Sequence, residues 1–219
     1  MAGIFLATLS FNEDETEQIL KTLNIYHFAK ELLIYNEIID PDSYTFPQVL
    51  NELRNAYDHF NRALAAKLEV RGKKNEKEYI DSNLDKALGH IYRACYDCLD
   101  WLSINVREEI MRDLKPYSHE AIKEVMPEYY NEILPLIPKY EREIAKLRDD
   151  KDIAHIDTDS LHRYQKILKD LTDIRQRIKD SISALADYDS KRNRDKIIWY
   201  IISAFIGGLI TTIIHYFVT

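Results

Sequence analysis

Apolar residues recur at intervals of three and four along most of the chain, and the breaks in that recurrence mark the ends of helices. Asn12 followed three residues on by Glu15 has the form of a capped helix start, and Ile19, Leu20, Leu23, Tyr26, Leu32, Leu33 and Ile38 continue from it. This predicts a first helix from about Glu13 to about Ile39. "DPDSYTFP" ends it, and Pro47 suits the first turn of a second helix reaching about Val70. The polar "RGKKNEKE" predicts a loop. A third helix begins near Tyr79 or Ser82 and runs to about Met111, with Leu84, Leu88, Ile91, Cys95, Leu99 and Leu102 as its stripe. These three helices are expected to share a core.

Beyond "KPYS", Ser118 and Glu120 stand near the next helix start, and Pro127, Pro135 and Pro138 require a bent or broken segment. Its Tyr129, Tyr130, Ile133, Leu134 and Leu136 assign it to the domain surface and not to a linker. "RDDKDIAHIDTDS" reads as a polar connection. Leu161, Tyr164, Leu168, Leu171, Ile174, Ile178, Ile182 and Leu185 then form a stripe that can continue through a basic stretch into the last segment. The division that follows is a helical bundle over 1–118, further helices able to form a stalk over 119–190, and a basic flank with a membrane helix over 191–219. There is no internal repeat and no low-complexity tract.

The last segment breaks the amphipathic pattern. From Ile197 to Val218 there is no Asp, Glu, Lys or Arg. As a helix this stretch reaches about 33 Å, against about 30 Å of bilayer hydrocarbon. It is expected to be a single membrane span, the alternative being a core helix unusually long for having no charge. Lys191, Arg192, Arg194 and Lys196 lie just before it and nothing basic but His215 follows, so the positive-inside rule puts the N-terminal domain in the cytoplasm. Trp199, Tyr200 and Tyr216 fall where interfacial aromatics belong. Ser203, Gly207 and Thr211 form one row of small residues, and Ala204, Gly208 and Thr212 the next, a pattern suited either to close approach between copies or to simple anchoring. The N-terminal "MAGIFLATLS" is apolar but short, with no basic residue ahead of it, and reads as a segment capping the fold, not a signal peptide.

Composition narrows the functional classes. Six Pro and five Gly in 219 residues, with 31% charged, favour an all-α protein. The formal charge of −7 gives no global positive field, so DNA is not an expected partner and any RNA contact is local, at Arg71, Lys73, Lys74 or the juxtamembrane basics. Cys95 and Cys98, three apart on a helix without a second pair, read as packing residues in a reducing compartment, and no metal or cofactor is expected. His155 and His162 have no assigned role.

One stretch of the second helix, "NELRNAYDHFNRAL" at 51–64, carries an unusual polar face. With Leu53 at zero on a helical wheel, Tyr57, Phe60 and Leu64 fall within about 40° and form the expected core face. Arg54, Asn55, Asp58, His59 and Arg62 occupy the opposite arc. Arg54 and His59 are about 140° apart, so one helix cannot aim both at one atom. Their face is therefore expected to be buried against another helix or another copy. One reading of these residues is a ladder of i,i+4 ion pairs, Arg54 with Asp58 and Asp58 with Arg62, with His59 at the core edge. The other is a site in which an imidazole, which titrates near neutral pH, moves a proton while Arg54 holds a phosphate through parallel hydrogen bonds and Asn55 orients the ring. His90 and Arg93 on the third helix are either a helix-packing pair or part of the same cleft.

"RNAYDH" resembles the motif of the HEPN nuclease superfamily, an arginine, a polar residue, three spacers and a histidine, on residues Arg54, Asn55 and His59; the resemblance covers about 13–111. It implies a HEPN-like helical bundle and a metal-independent ribonuclease site, composite across a dimer interface, that uses a ribose 2′-hydroxyl as attacking group. Single-span HEPN-like proteins also act as accessory or effector proteins of antiviral systems, including some accompanying RNA-guided RNA-targeting complexes. The expected function is thus an oligomeric membrane-anchored effector or accessory protein of an antiviral defence system that perturbs the membrane through assembly, with the membrane, other copies, and a defence-system protein or RNA as partners. The alternatives are a membrane-tethered HEPN ribonuclease and a non-enzymatic tail-anchored scaffold.

Overall fold

The computed structural model describes residues 9–39, 46–70, 76–149, 156 and 158–218, and among them there are helices and no strands. α1 is Glu13–Ile39, α2 Pro47–Lys67, α3 Lys77–Leu114, α4 His119–Val125, α5 Leu134–Asp149 and α6 Thr158–Val218, with a π-helical turn, π1, at Tyr129–Ile133. Residues 1–8 of the expected N-terminal cap lie outside the described residues, as do most of the two predicted loops, Arg71, Lys73 and Lys74 among them, and His155 in the polar connection.

The helix starts follow local chemistry. Asn12 Oδ1 accepts the Glu15 N–H at 2.8 Å, and Glu15 Oε2 accepts the Asn12 N–H at 2.9 Å, a reciprocal capping box. Pro47 stands in the first turn of α2. Ser118 caps α4 by accepting the Ala121 N–H at 3.1 Å. The proline-rich segment breaks as expected: α4 stops at Val125, π1 follows, and Pro138 lies inside α5, where its ring opposes the carbonyl of Leu134.

The chain forms two compact units, residues 1–105 with 140–170, and residues 106–139 with 171–219. In the first, Ala63, Ala66, Ile80 and Leu84 form a core cluster against which Ile19, Phe60 and Tyr79 pack. Tyr92, Tyr96 and Tyr164 are fully buried there, and the Tyr164 hydroxyl donates to Asp100 Oδ1 at 2.6 Å. In the second, Val106, Ile110, Met126, Ile133, Leu171, Ile174 and Ile178 are buried, and Arg175 pairs with Glu109 at 2.6 Å.

The stripes read from α3 and the first half of α6 are buried, apart from the half-buried Ile182. That of α1 requires correction. Its buried residues are Glu15, Thr22, Ile25, Ala29, Leu32, Asn36 and Ile39, while Leu20, Leu23, Tyr26 and Ile38 are exposed. Apolar residues occur on more than one face of this helix, so their spacing alone does not select the inner one.

α6 is one continuous helix of 61 residues that passes through the basic stretch into the charge-free end. It is long and apolar enough to cross a membrane, and every residue from Ile197 to Ile213 is exposed. Among the described residues none covers this end. The side chain of Tyr216 lies outside the described residues.

Candidate functional site: a histidine pair between α2 and α3

The inner face of α2 is built from small residues. Val49, Ala56, Ala63 and Ala66 are buried, whereas Tyr57, expected in the core, is 70% exposed. Alanines let α2 approach its neighbours closely, and this turns its inner face some 60° to 80° away from Leu53 toward His59. The bulky residues named from the wheel, Leu53, Phe60 and Leu64, are only half-buried as a result.

The same rotation separates the motif. His59 is half-buried against α3, where its Nδ1 meets Asn83 Oδ1 at 2.9 Å. Asn83 Nδ2 donates to the Tyr79 carbonyl at 2.8 Å, so the amide turns its oxygen toward the ring and His59 Nδ1 carries the hydrogen. Nε2 is then the nitrogen of His59 able to take up a proton. Asn55 does not orient this ring: its Oδ1 lies 3.5 Å from Arg54 Nη2, and Asn83 fills the expected role. Arg54 is exposed and lines an apolar cleft of about 540 Å³ with Leu23, Tyr26, Tyr57, Phe60 and Ile91. Within one chain, another helix partly covers His59 and leaves Arg54 exposed. Of the ion-pair ladder, Arg62 meets Asp58 at 2.7 Å, with both side chains more than half exposed.

His59 stacks instead on His90, with ring centroids 5.3 Å apart and planes inclined by 14°. His90 Nδ1 lies 2.7 Å from Glu52 Oε2, and Arg93 Nε donates to the same oxygen at 2.9 Å. An ionised carboxylate only accepts, so His90 Nδ1 donates to it. Burial alone raises the Glu52 carboxyl; the hydrogen bonds and charges of His90 and Arg93 outweigh it and hold the group below the usual carboxylate value.

The geometry is a reciprocal ladder. Glu52 and His59 stand two turns apart on α2, Asn83 and His90 two turns apart on α3, and the antiparallel helices join Glu52 to His90 and Asn83 to His59. Glu52 and Asn83 were not singled out from the sequence. Their signal is this seven-residue spacing from a histidine, legible only once α2 and α3 are known to pair. His90 and Arg93 act as the helix-packing pair.

Cys95 and Cys98 are buried free thiols. Burial pushes both up, Cys98 to about 12, as suits packing residues. Among the described residues no cluster of three His, Cys, Asp or Glu side chains is placed to hold a metal ion. No family model, curated protein or solved structure matches the chain.

Proposed function

We propose that this protein is an oligomeric, membrane-anchored effector or accessory protein of an antiviral defence system, with its helical domain in the cytoplasm and its HEPN-like motif serving mainly as structure. The observation that carries the membrane half is the uncovered apolar end of α6. Leaving a large apolar side chain in water rather than burying it costs roughly 1.5 to 3 kcal/mol, and Ile198, Trp199, Ile201, Phe205, Leu209 and Ile213 are all exposed together. A bilayer is the solvent that suits them. A Cβ added at Gly207 or Gly208 meets nothing within 4 Å, so both small-residue rows are open to a neighbouring helix. Thr211 and Thr212 donate their hydroxyls to the Gly207 and Gly208 carbonyls at 2.9 Å, so these two hydroxyls bring no unpaired donor to that face. The defence role rests on the resemblance of Arg54, Asn55 and His59 to the HEPN motif. Viral challenge of cells making the full chain tests it: loss of membrane potential and reduced viral yield, both abolished by removing 197–219, are expected. Unaltered potential and yield would refute it.

A specific observation favours the tethered ribonuclease as a second reading. Two imidazoles lie side by side, each with Nδ1 engaged and Nε2 remaining, a pairing that can give and accept protons without a metal. Metal-independent cleavage of RNA that disappears in both His59→Ala and Arg54→Ala, with folding retained, would establish this reading over the first.

A further inference from the structure

The stretch of α6 ahead of Ile197 is not a bare stalk. Ser118 gives Asp189 its backbone N–H at 2.9 Å and its hydroxyl at 2.6 Å, and Arg192 donates to Glu120 at 3.0 Å. All four residues belong to the second compact unit. Along a helix rising 1.5 Å per residue, Arg192 stands about 7.5 Å and Asp189 about 12 Å before Ile197, while a headgroup layer occupies about 5 to 8 Å on each side of the hydrocarbon. The two locks therefore hold the elbow formed by residues 115–125 at or just above headgroup height.

The chemistry of this collar suits that position. Lys115, His119 and Lys123 are exposed on the elbow, and Lys191, Arg194 and Lys196 on α6. Lys196 lies on the helix face of Asp189 and Arg192, and its charge acts on both Asp189 and Glu120. Lys115, Lys123, Lys191, Arg192, Arg194 and Lys196 give six positive charges against four from Glu120, Glu124, Asp189 and Asp195, a local balance of +2 in a chain of net −7.

We propose that the 115–125 elbow is a second membrane contact, a foot that rests on anionic phospholipid headgroups beside the point where α6 enters the bilayer. The proposal rests on the reading of 197–218 as a span. The contact is continuous with that span, and the Ser118–Asp189 and Glu120–Arg192 pairs plant it.

Site-directed spin labelling of the full chain tests it, since native Cys95 and Cys98 are buried. Labels are placed singly through Glu124→Cys on the foot, Ile201→Cys in the span and Lys179→Cys about 27 Å before the span. The protein is reconstituted in phosphatidylcholine vesicles with and without phosphatidylglycerol. The expected result is a lipid environment at 201 in both, free access of a water-soluble relaxant at 179, and several-fold lower access at 124 when phosphatidylglycerol is present. Ser118→Ala combined with Asp189→Asn should restore access at 124 and leave 201 unchanged. Access at 124 equal to that at 179, with 201 in lipid, would overturn the foot alone. Protection at 124 independent of phosphatidylglycerol would overturn its anionic preference. Water at 201 would overturn the span itself.

Discussion

At the scale of residues, the polar face of α2 is explained by what meets it. His59 is held by Asn83 and stacked on His90, so His59→Ala removes a hydrogen bond from a buried amide and one side of a ring stack. Thermal unfolding should register a loss of about 1 to 3 kcal/mol, whereas Arg54→Ala, at an exposed position, should stay within about 0.5 kcal/mol. Equal costs would mean that the two residues are covered together after all. Glu52 provides a pH test. Its carboxyl is held below its ordinary 4.5 in the folded protein, so its contribution is present above the unfolded value and is lost as pH falls through the folded one. Glu52→Gln should therefore be less stable than the natural chain at pH 7, by about 1 to 3 kcal/mol. The difference should shrink as pH falls below the ordinary 4.5 and not on the alkaline side. Melting curves of both chains at several pH values decide this.

At the scale of elements, the long stripes were legible because one face carries nearly all the apolar residues. Leu161 to Leu185 on α6 are of that kind, Ile182 only partly buried, whereas on α3 Leu84 to Leu102 are the middle of a wider buried arc that also holds Tyr92 and Tyr96. α2 misled the wheel for a physical reason: its inner face is set by the close approach that Ala56, Ala63 and Ala66 permit, and small residues weigh little in a search for bulk. The separation of Arg54 from His59 was legible, because their angle follows from helix geometry alone. The partners of His59 were not, because Asn83 and His90 come from a helix whose pairing with α2 no local pattern reveals. In the apolar end, Gly207→Leu with Gly208→Leu should leave insertion intact, since an added Cβ finds open space at either position within the chain. Any oligomer packed through these rows should weaken, because bulkier side chains hold backbones apart. Cross-linking in membranes measures it, and unchanged oligomers would assign assembly to the helices outside the membrane.

At the scale of the molecule, one helix joins two chemistries. α6 is amphipathic and buried on one side through Leu185, then basic, then apolar and uncovered from Ile197 onward. On the reading proposed above, this last part is a membrane anchor and the rest folds without it. Removing 197–219 and fractionating cells after a high-salt wash tests the claim most directly, because salt releases headgroup contacts and leaves a span in place. The full chain should stay in the washed membranes, and the shortened chain should appear in the supernatant with its helical circular dichroism retained. A shortened chain that remains in washed membranes, or that loses its helical signal, would contradict the account.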